Sequence, residues 1–466
     1  MRGLPRVEAV IAGAFAVLVL AYACLMAFVR DGFLGPRVGY GPDSQVYMDA
    51  AYHPVWTLEF LAARGPFLFP LLAKLSARNL RAIVVVQSVL YAGAWIFLAT
   101  SIRALVRDRR VQVAVFGAVL LAGLMPTVLA WNVIISTESL AVSVLCVVLA
   151  CALRLTARPG RSTAIAFVAA LAAFAFVRDT NALTALLLGV AALFASVWWR
   201  SRRRLVAGIG AAAVGLAAIA LVLSGQSEPP RWYYPLHETI AMRLVGDPVA
   251  EPYFVDHGLP LDEHLRALSD NYFIVVTRLD EGEEFAALRE WVRDEGRQTY
   301  VSFLVRHPWW TLSEPVPDRD RFLAPDLDGY RAIWHIEPPG IYWIGALGFP
   351  DAPLVVTLWA IAATVGLAAV ARRDRRVRPI ATTTGIAGLL AIAGFYAAWH
   401  GDALEIDRHS LTAATQFRLA LWIATALVAD AIVRRPSVEH AHDAGDDREV
   451  DQGARGDDIA AGRVDE

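Results

Sequence analysis

The run Ala9-Val-Ile-Ala-Gly-Ala-Phe-Ala-Val-Leu-Val-Leu-Ala-Tyr-Ala-Cys-Leu-Met-Ala-Phe-Val29 decides the class of fold. It carries no charge and has the length of about 20 residues that crosses a hydrocarbon core as a helix. Ala21-Tyr22-Ala23 is similar to a small-x-small cleavage site, but the apolar run continues through Val29, so an uncleaved anchor is expected. Similar runs recur along the chain. Its 466 residues are 56% hydrophobic with a mean hydropathy of +0.45, too apolar for a soluble protein. The formal net charge of −2 suggests no nucleic-acid partner. Cys24, Cys146 and Cys151 lie inside apolar runs, so no disulfide framework is expected.

Working outward, about ten spans are predicted: 9–29, 82–102, 111–130, 138–153, 162–177, 181–199, 205–224, 352–371, 379–399 and 411–433. Alternate connections are rich in arginine: Arg103, Arg107, Arg109 and Arg110; Arg154, Arg158 and Arg161; Arg200 to Arg204; Arg372 to Arg378; Arg434 and Arg435. The positive-inside rule assigns these to the cytoplasm, with both termini. The reading is a multi-pass plasma-membrane protein. Its parts are an N-terminal membrane module (1–224) with a first external loop at 30–81, an external and mostly helical loop domain at 225–351, C-terminal spans at 352–435, and a disordered cytoplasmic tail at 436–466.

The connections left on the external side hold Asp43, Glu138, Arg178 with Asp179, His335 with Glu337, and the group His400, Asp402, Glu405, Asp407, Arg408 and His409. Ionisable groups at membrane depth are costly and mark function. Asp43 stands in Gly39-Tyr40-Gly41-Pro42-Asp43-Ser44-Gln45-Val46-Tyr47-Met48-Asp49, between a turn and a helical segment. It is placed either as a helix N-cap or as the acid/base of a membrane-surface site. Glu138 could likewise cap its span, Arg178 could pair with Asp179, and Arg408 could snorkel to the interface. His335 and His400 read as satisfied surface histidines, and Trp309-Trp310 as interface packing.

No P-loop, HExxH, CxxC or GxSxG pattern occurs in a supporting context, which removes the usual warrants for nucleotide hydrolysis, zinc proteolysis and serine hydrolysis. Carboxylates, arginines and histidines on one side of a lipid bundle suit group transfer from a phosphate-carrying lipid. Arginine and histidine hold the phosphate, and a carboxylate takes the proton of an acceptor hydroxyl.

The chain resembles the GT-C superfamily of integral-membrane glycosyltransferases, which use polyprenyl-phosphate sugars and include protein mannosyltransferases and aminoarabinose transferases. The likeness covers roughly residues 1–220 and 395–430. It rests on Pro42-Asp43-Ser44 with Tyr47 and Ala50, Arg64-Gly65-Pro66 with Pro70-Leu71-Leu72, Trp131 to Ile135 with Ser136, Glu138 and Ser139, Arg178 with Asn181, and Glu405-Ile406-Asp407-Arg408-His409. The resemblance implies a GT-C-like bundle in which Asp43 is the general base. Arg178, Arg408 and His409 would face the donor phosphate, and Tyr47, Arg64, Glu138 and Glu405 would line the acceptor pocket. Partners would be a polyprenyl-phosphate sugar, an envelope glycan, lipid or protein acceptor, and membrane lipids. A second acidic residue often stands beside the first-loop aspartate in that superfamily, whereas the next carboxylate here is Asp49. No metal and no cofactor are therefore expected. A transporter or flippase for a lipid-linked intermediate, and an envelope scaffold docking a partner on the 225–351 loop, stay open as alternatives.

Overall fold

A computed structural model describes residues 5–28, 30–31, 35–36, 38–198, 203–267, 279, 282–325 and 338–434. The tail reading, His335 and Glu337 lie outside the described residues.

The chain is an all-α polytopic membrane protein. Its principal helices are α1 (Arg6–Phe28), α2 (Pro42–Ala50), α3 (Leu80–Arg103), α4 (Arg109–Ala122), α5 (Thr137–Ala157), α6 (Arg161–Ala175), α7 (Asp179–Trp198), α8 (Arg203–Gly225), α9 (Pro353–Arg373), α10 (Arg378–Gly401) and α11 (Ile406–Val433). Among the described residues the only strands are a two-residue pair, Arg30–Asp31 with Gly35–Pro36. All but α2 fall on the ten expected runs. Eight are long and apolar enough to cross a membrane by themselves.

The other two runs differ from expectation for physical reasons. The run at 111–130 is broken: α4 ends at Ala122 and a second piece, Pro126–Val133, departs at 57°. Pro126 has no N–H with which to continue α4. Gly123 sits so close to Trp95 that a Cβ there would lie 2.8 Å from the indole, and its carbonyl accepts from Tyr91 Oη at 2.6 Å. The fifth run is α6, whose 15 residues reach only about 22 Å.

Each end of the bundle is fastened by charge. At one end Glu8, fully buried, receives Arg103 Nε at 3.0 Å and Arg109 Nη2 at 2.7 Å. Beside it Asp430 of α11 accepts the backbone N–H groups of Arg107 and Asp108 at 2.9 and 2.8 Å. The loop after α1, the entry to α5, the α6–α7 turn and the α10–α11 turn all meet at the opposite end. There the helices of the 225–351 segment form their own core of Leu236, Phe254, Trp291, Phe303 and Trp310, continuous with Phe395, Trp399 and Ile406 of α10 and α11. The alternation of spans thus delivers residues from four distant stretches to one place.

Candidate functional site

The site starts with the backbone. Gly39 donates its N–H to Val133 and accepts from Ile135, both at 2.9 Å, which stitches the first loop to the entry of α5. Ser44 Oγ adds a bond to the Ile135 carbonyl at 2.7 Å. From the other side the fully buried Gln87 donates Nε2 to the carbonyls of Asn132 and, at 3.1 Å, Ile134. A non-helical turn inside a bundle must satisfy its carbonyls within the protein, and Gln87 does this.

Gly41, not Asp43, occupies the N-cap of α2, and its N–H goes to Ser44 Oγ at 3.0 Å. The capping reading of Asp43 is therefore overturned. From the second position of α2 its carboxylate, half exposed, pairs with Arg408 of α11. Glu138 also stands one residue inside its helix, behind the N-cap Ser136, and is fully buried. Its Oε1 accepts Arg408 Nε at 2.6 Å and lies 3.4 Å from Arg178 Nη1. The third bond of Arg408 goes from Nη1 to Glu405 at 2.7 Å. An arginine bonded to three carboxylates from three segments, and itself buried, does not snorkel.

Arg178 ignores its neighbour Asp179, which pairs with Arg231 at 3.0 Å. Instead its Nη2 contacts His409 Nδ1 at 2.6 Å. A guanidinium can only donate, so Nδ1 accepts and the ring proton sits on Nε2. That proton points at Asp402 Oδ2, 3.1 Å away, with Glu405 at 3.8 Å. Burial alone would raise the Asp402 pKa, but His409 and the N–H of Glu405 hold it below the usual carboxylate range.

Asp402, Glu405 and His409 offer ligand atoms within 4.8 Å of one another, a spacing compatible with a metal ion. The tautomer argues otherwise, because Nε2 has no lone pair while Arg178 donates to Nδ1. The same atoms read as a chain running from Asp402 through His409 to Arg178.

The structure therefore brings together Asp43, Glu138, Arg178, Glu405, Arg408 and His409. Tyr47 is buried beside them, and burial followed by the charges of Asp43 and Glu138 pushes its phenol well above its ordinary pKa. Arg64 is not in the cluster. Gly65 fills the inward position, where a Cβ would lie 2.2 Å from the Tyr47 ring, and Arg64 turns outward, 4.7 Å from the centroid of Tyr234. His400 is part-buried rather than at the surface, and its Nε2 lies 2.9 Å from the Thr311 carbonyl. Of the Trp309-Trp310 pair, Trp310 is buried and Trp309 is 81% exposed. Asp402 was grouped with these residues from the sequence but was given no role. Its spacing from Glu405 and His409, three and then four residues, was the available signal.

Compared with known proteins, the chain matches no protein-family model and no curated protein sequence.

Proposed function

We propose that this chain is a GT-C-type membrane glycosyltransferase. It moves a sugar from a polyprenyl-phosphate donor to an envelope glycan, lipid or protein on the external face of the plasma membrane, with both termini cytoplasmic. The observation that carries the reading is the junction of Asp43, half exposed, with the buried Arg408, alongside Arg178 and His409.

The carboxylates of Asp43, Glu138, Asp402 and Glu405 outnumber the guanidinium groups of Arg178 and Arg408, so an incoming phosphate must displace one of them. Asp43 is 50% exposed against 0% for Glu138, which makes it the partner that leaves. The phosphate diester takes the Arg408 donor, and Asp43 is released as a base. Asp43 then accepts the proton of the acceptor hydroxyl as the acceptor oxygen bonds to the anomeric carbon. The carbon–oxygen bond to phosphate breaks with its electron pair on the phosphate. The polyprenyl phosphate monoester departs with one more negative charge, held by Arg178 and Arg408.

The test is release of polyprenyl phosphate from a polyprenyl-phosphate sugar by the reconstituted chain. Full release by a correctly inserted Asp43→Asn variant would remove the proposal, and so would its absence from the native chain across donor sugars.

A further inference from the structure

Among the described residues outside the spans, the helical stretch Gly340–Leu347 is the most apolar, and it ends the segment read from sequence as external. Its contacts are at bilayer depth. Tyr342 donates Oη to the carbonyl of Leu18 at 2.7 Å. Leu18 is twelve residues into α1, about 18 Å from its start at Arg6, near the middle of a hydrocarbon layer about 30 Å thick. Gly345 and Gly348 lie against the broken end of α4, where a Cβ would be 2.3 Å from Met125 N and Ala122 N respectively. Trp422 Nε1 of α11 donates to the Gly348 carbonyl at 2.6 Å.

Arg418 of α11 is the second observation. It is 1% exposed and lies fifteen residues, about 22 Å, from the α11 end at Val433, inside the hydrocarbon layer. The proposed reaction does not use it. Its donors go to backbone: Nε and Nη2 to the Pro350 carbonyl at 2.9 and 2.8 Å, and Nη2 to that of Leu323. Asp351 supplies a nearby negative charge. Irregular backbone is tolerated at membrane depth only when the protein satisfies its polar groups. Arg418 and Trp422 satisfy these carbonyls.

We infer that residues 338–350 form a re-entrant wedge that dips into the bilayer beside the break in α4, held by Arg418, with its outer side covered by lipid acyl chains. That side presents Ile341, Trp343, Ile344 and Leu347, 64, 47, 46 and 70% exposed. Val17 of α1, next to the Leu18 that Tyr342 touches, and Leu354 at the start of α9 are likewise apolar and 66 and 70% exposed. The wedge stands independently of the glycosyltransferase reading.

The experiment places a single NBD probe at Ile344→Cys in a chain whose native cysteines are alanine, reconstituted in phosphatidylcholine/phosphatidylglycerol vesicles. Asp294→Cys, exposed in the external helices, is the control. Lipids brominated in the acyl chain should quench the 344 probe severalfold more than the 294 probe, with the reverse order for iodide. Iodide quenching equal to that at 294 would overturn the wedge. So would insensitivity to both quenchers, the mark of a second copy or another protein on this face. Hydrogen exchange on the unmodified chain in nanodiscs removes dependence on the variants. Amides 340–349 should exchange at least tenfold more slowly than in Arg418→Gln, and equal rates would refute the clamp.

Discussion

Asp43 and Arg408, 365 positions apart in sequence, form an ion pair in which one partner faces solvent and the other is buried. The asymmetry separates two kinds of damage. Asp43→Asn leaves Arg408 with Glu138 and Glu405, so the loss of stability should be at most about 1 kcal/mol. Transfer activity should fall about 10²- to 10⁴-fold. Thermal unfolding measured alongside polyprenyl-phosphate release checks both halves.

Glu138 presents the opposite case. Fully buried, it compensates Arg408 and Arg178 together. Glu138→Gln leaves buried Arg178 without its carboxylate and Arg408 with only the more exposed Asp43 and Glu405, and should destabilise the chain by about 3–5 kcal/mol. Glu405→Gln, at a site 24% exposed, should cost distinctly less. Unfolding of the two variants in the same detergent orders them, and equal losses would contradict the pairing described here.

Gly65 and Tyr47 make a steric prediction. A Cβ at 65 would lie 2.2 Å from Tyr47 Cε1, so the ring must move. Gly65→Ala should cost about 1–3 kcal/mol. Adding Tyr47→Ala opens the space, and the double variant should lose less than the two single variants summed, by at least about 0.5 kcal/mol. Additive losses would show that the ring is not the obstacle.

His237 gives the helices of residues 225–351 a pH dependence. It is 1% exposed, its ring nitrogens have no partner among the described residues, and burial, then Arg289, lowers its pKa from 6.5 to about 4. Below about 6.5 the unfolded chain takes up a proton that the folded chain refuses until about 4. This contribution is therefore constant above pH 6.5 and is lost as pH falls towards 4, by up to about 1.4 kcal/mol per pH unit. Tryptophan-detected unfolding from pH 7 to 4.5 should show that slope, and His237→Phe should flatten it.

Eight of the ten expected runs were legible as spans because a bilayer demands about 20 apolar residues whatever they pack against. Meeting of Asp43, Glu138, Arg178 and Arg408 followed from alternation, since every second connection returns to the same end. What was hidden depends on close approach. The break after Ala122 comes from the absent Cβ of Gly123 beside Trp95 as well as from Pro126, and no periodicity announces it. Arg64 carries the same sequence signal as Arg178, yet Gly65 beside it takes the inward place. Arg418, inside the last expected run, was not read from the sequence, although an arginine at that depth is a signal; its acceptors are backbone carbonyls, which leave no mark in composition.

Arg408 leaves the ribosome 270 positions after Glu138 and 365 after Asp43. Until Arg408 follows, the one counter-charge of Glu138 among the described residues is Arg178. A chain stopped before position 408 would hold its earlier helices yet lack the one side chain that ties the first loop to the entry of α5 by charge.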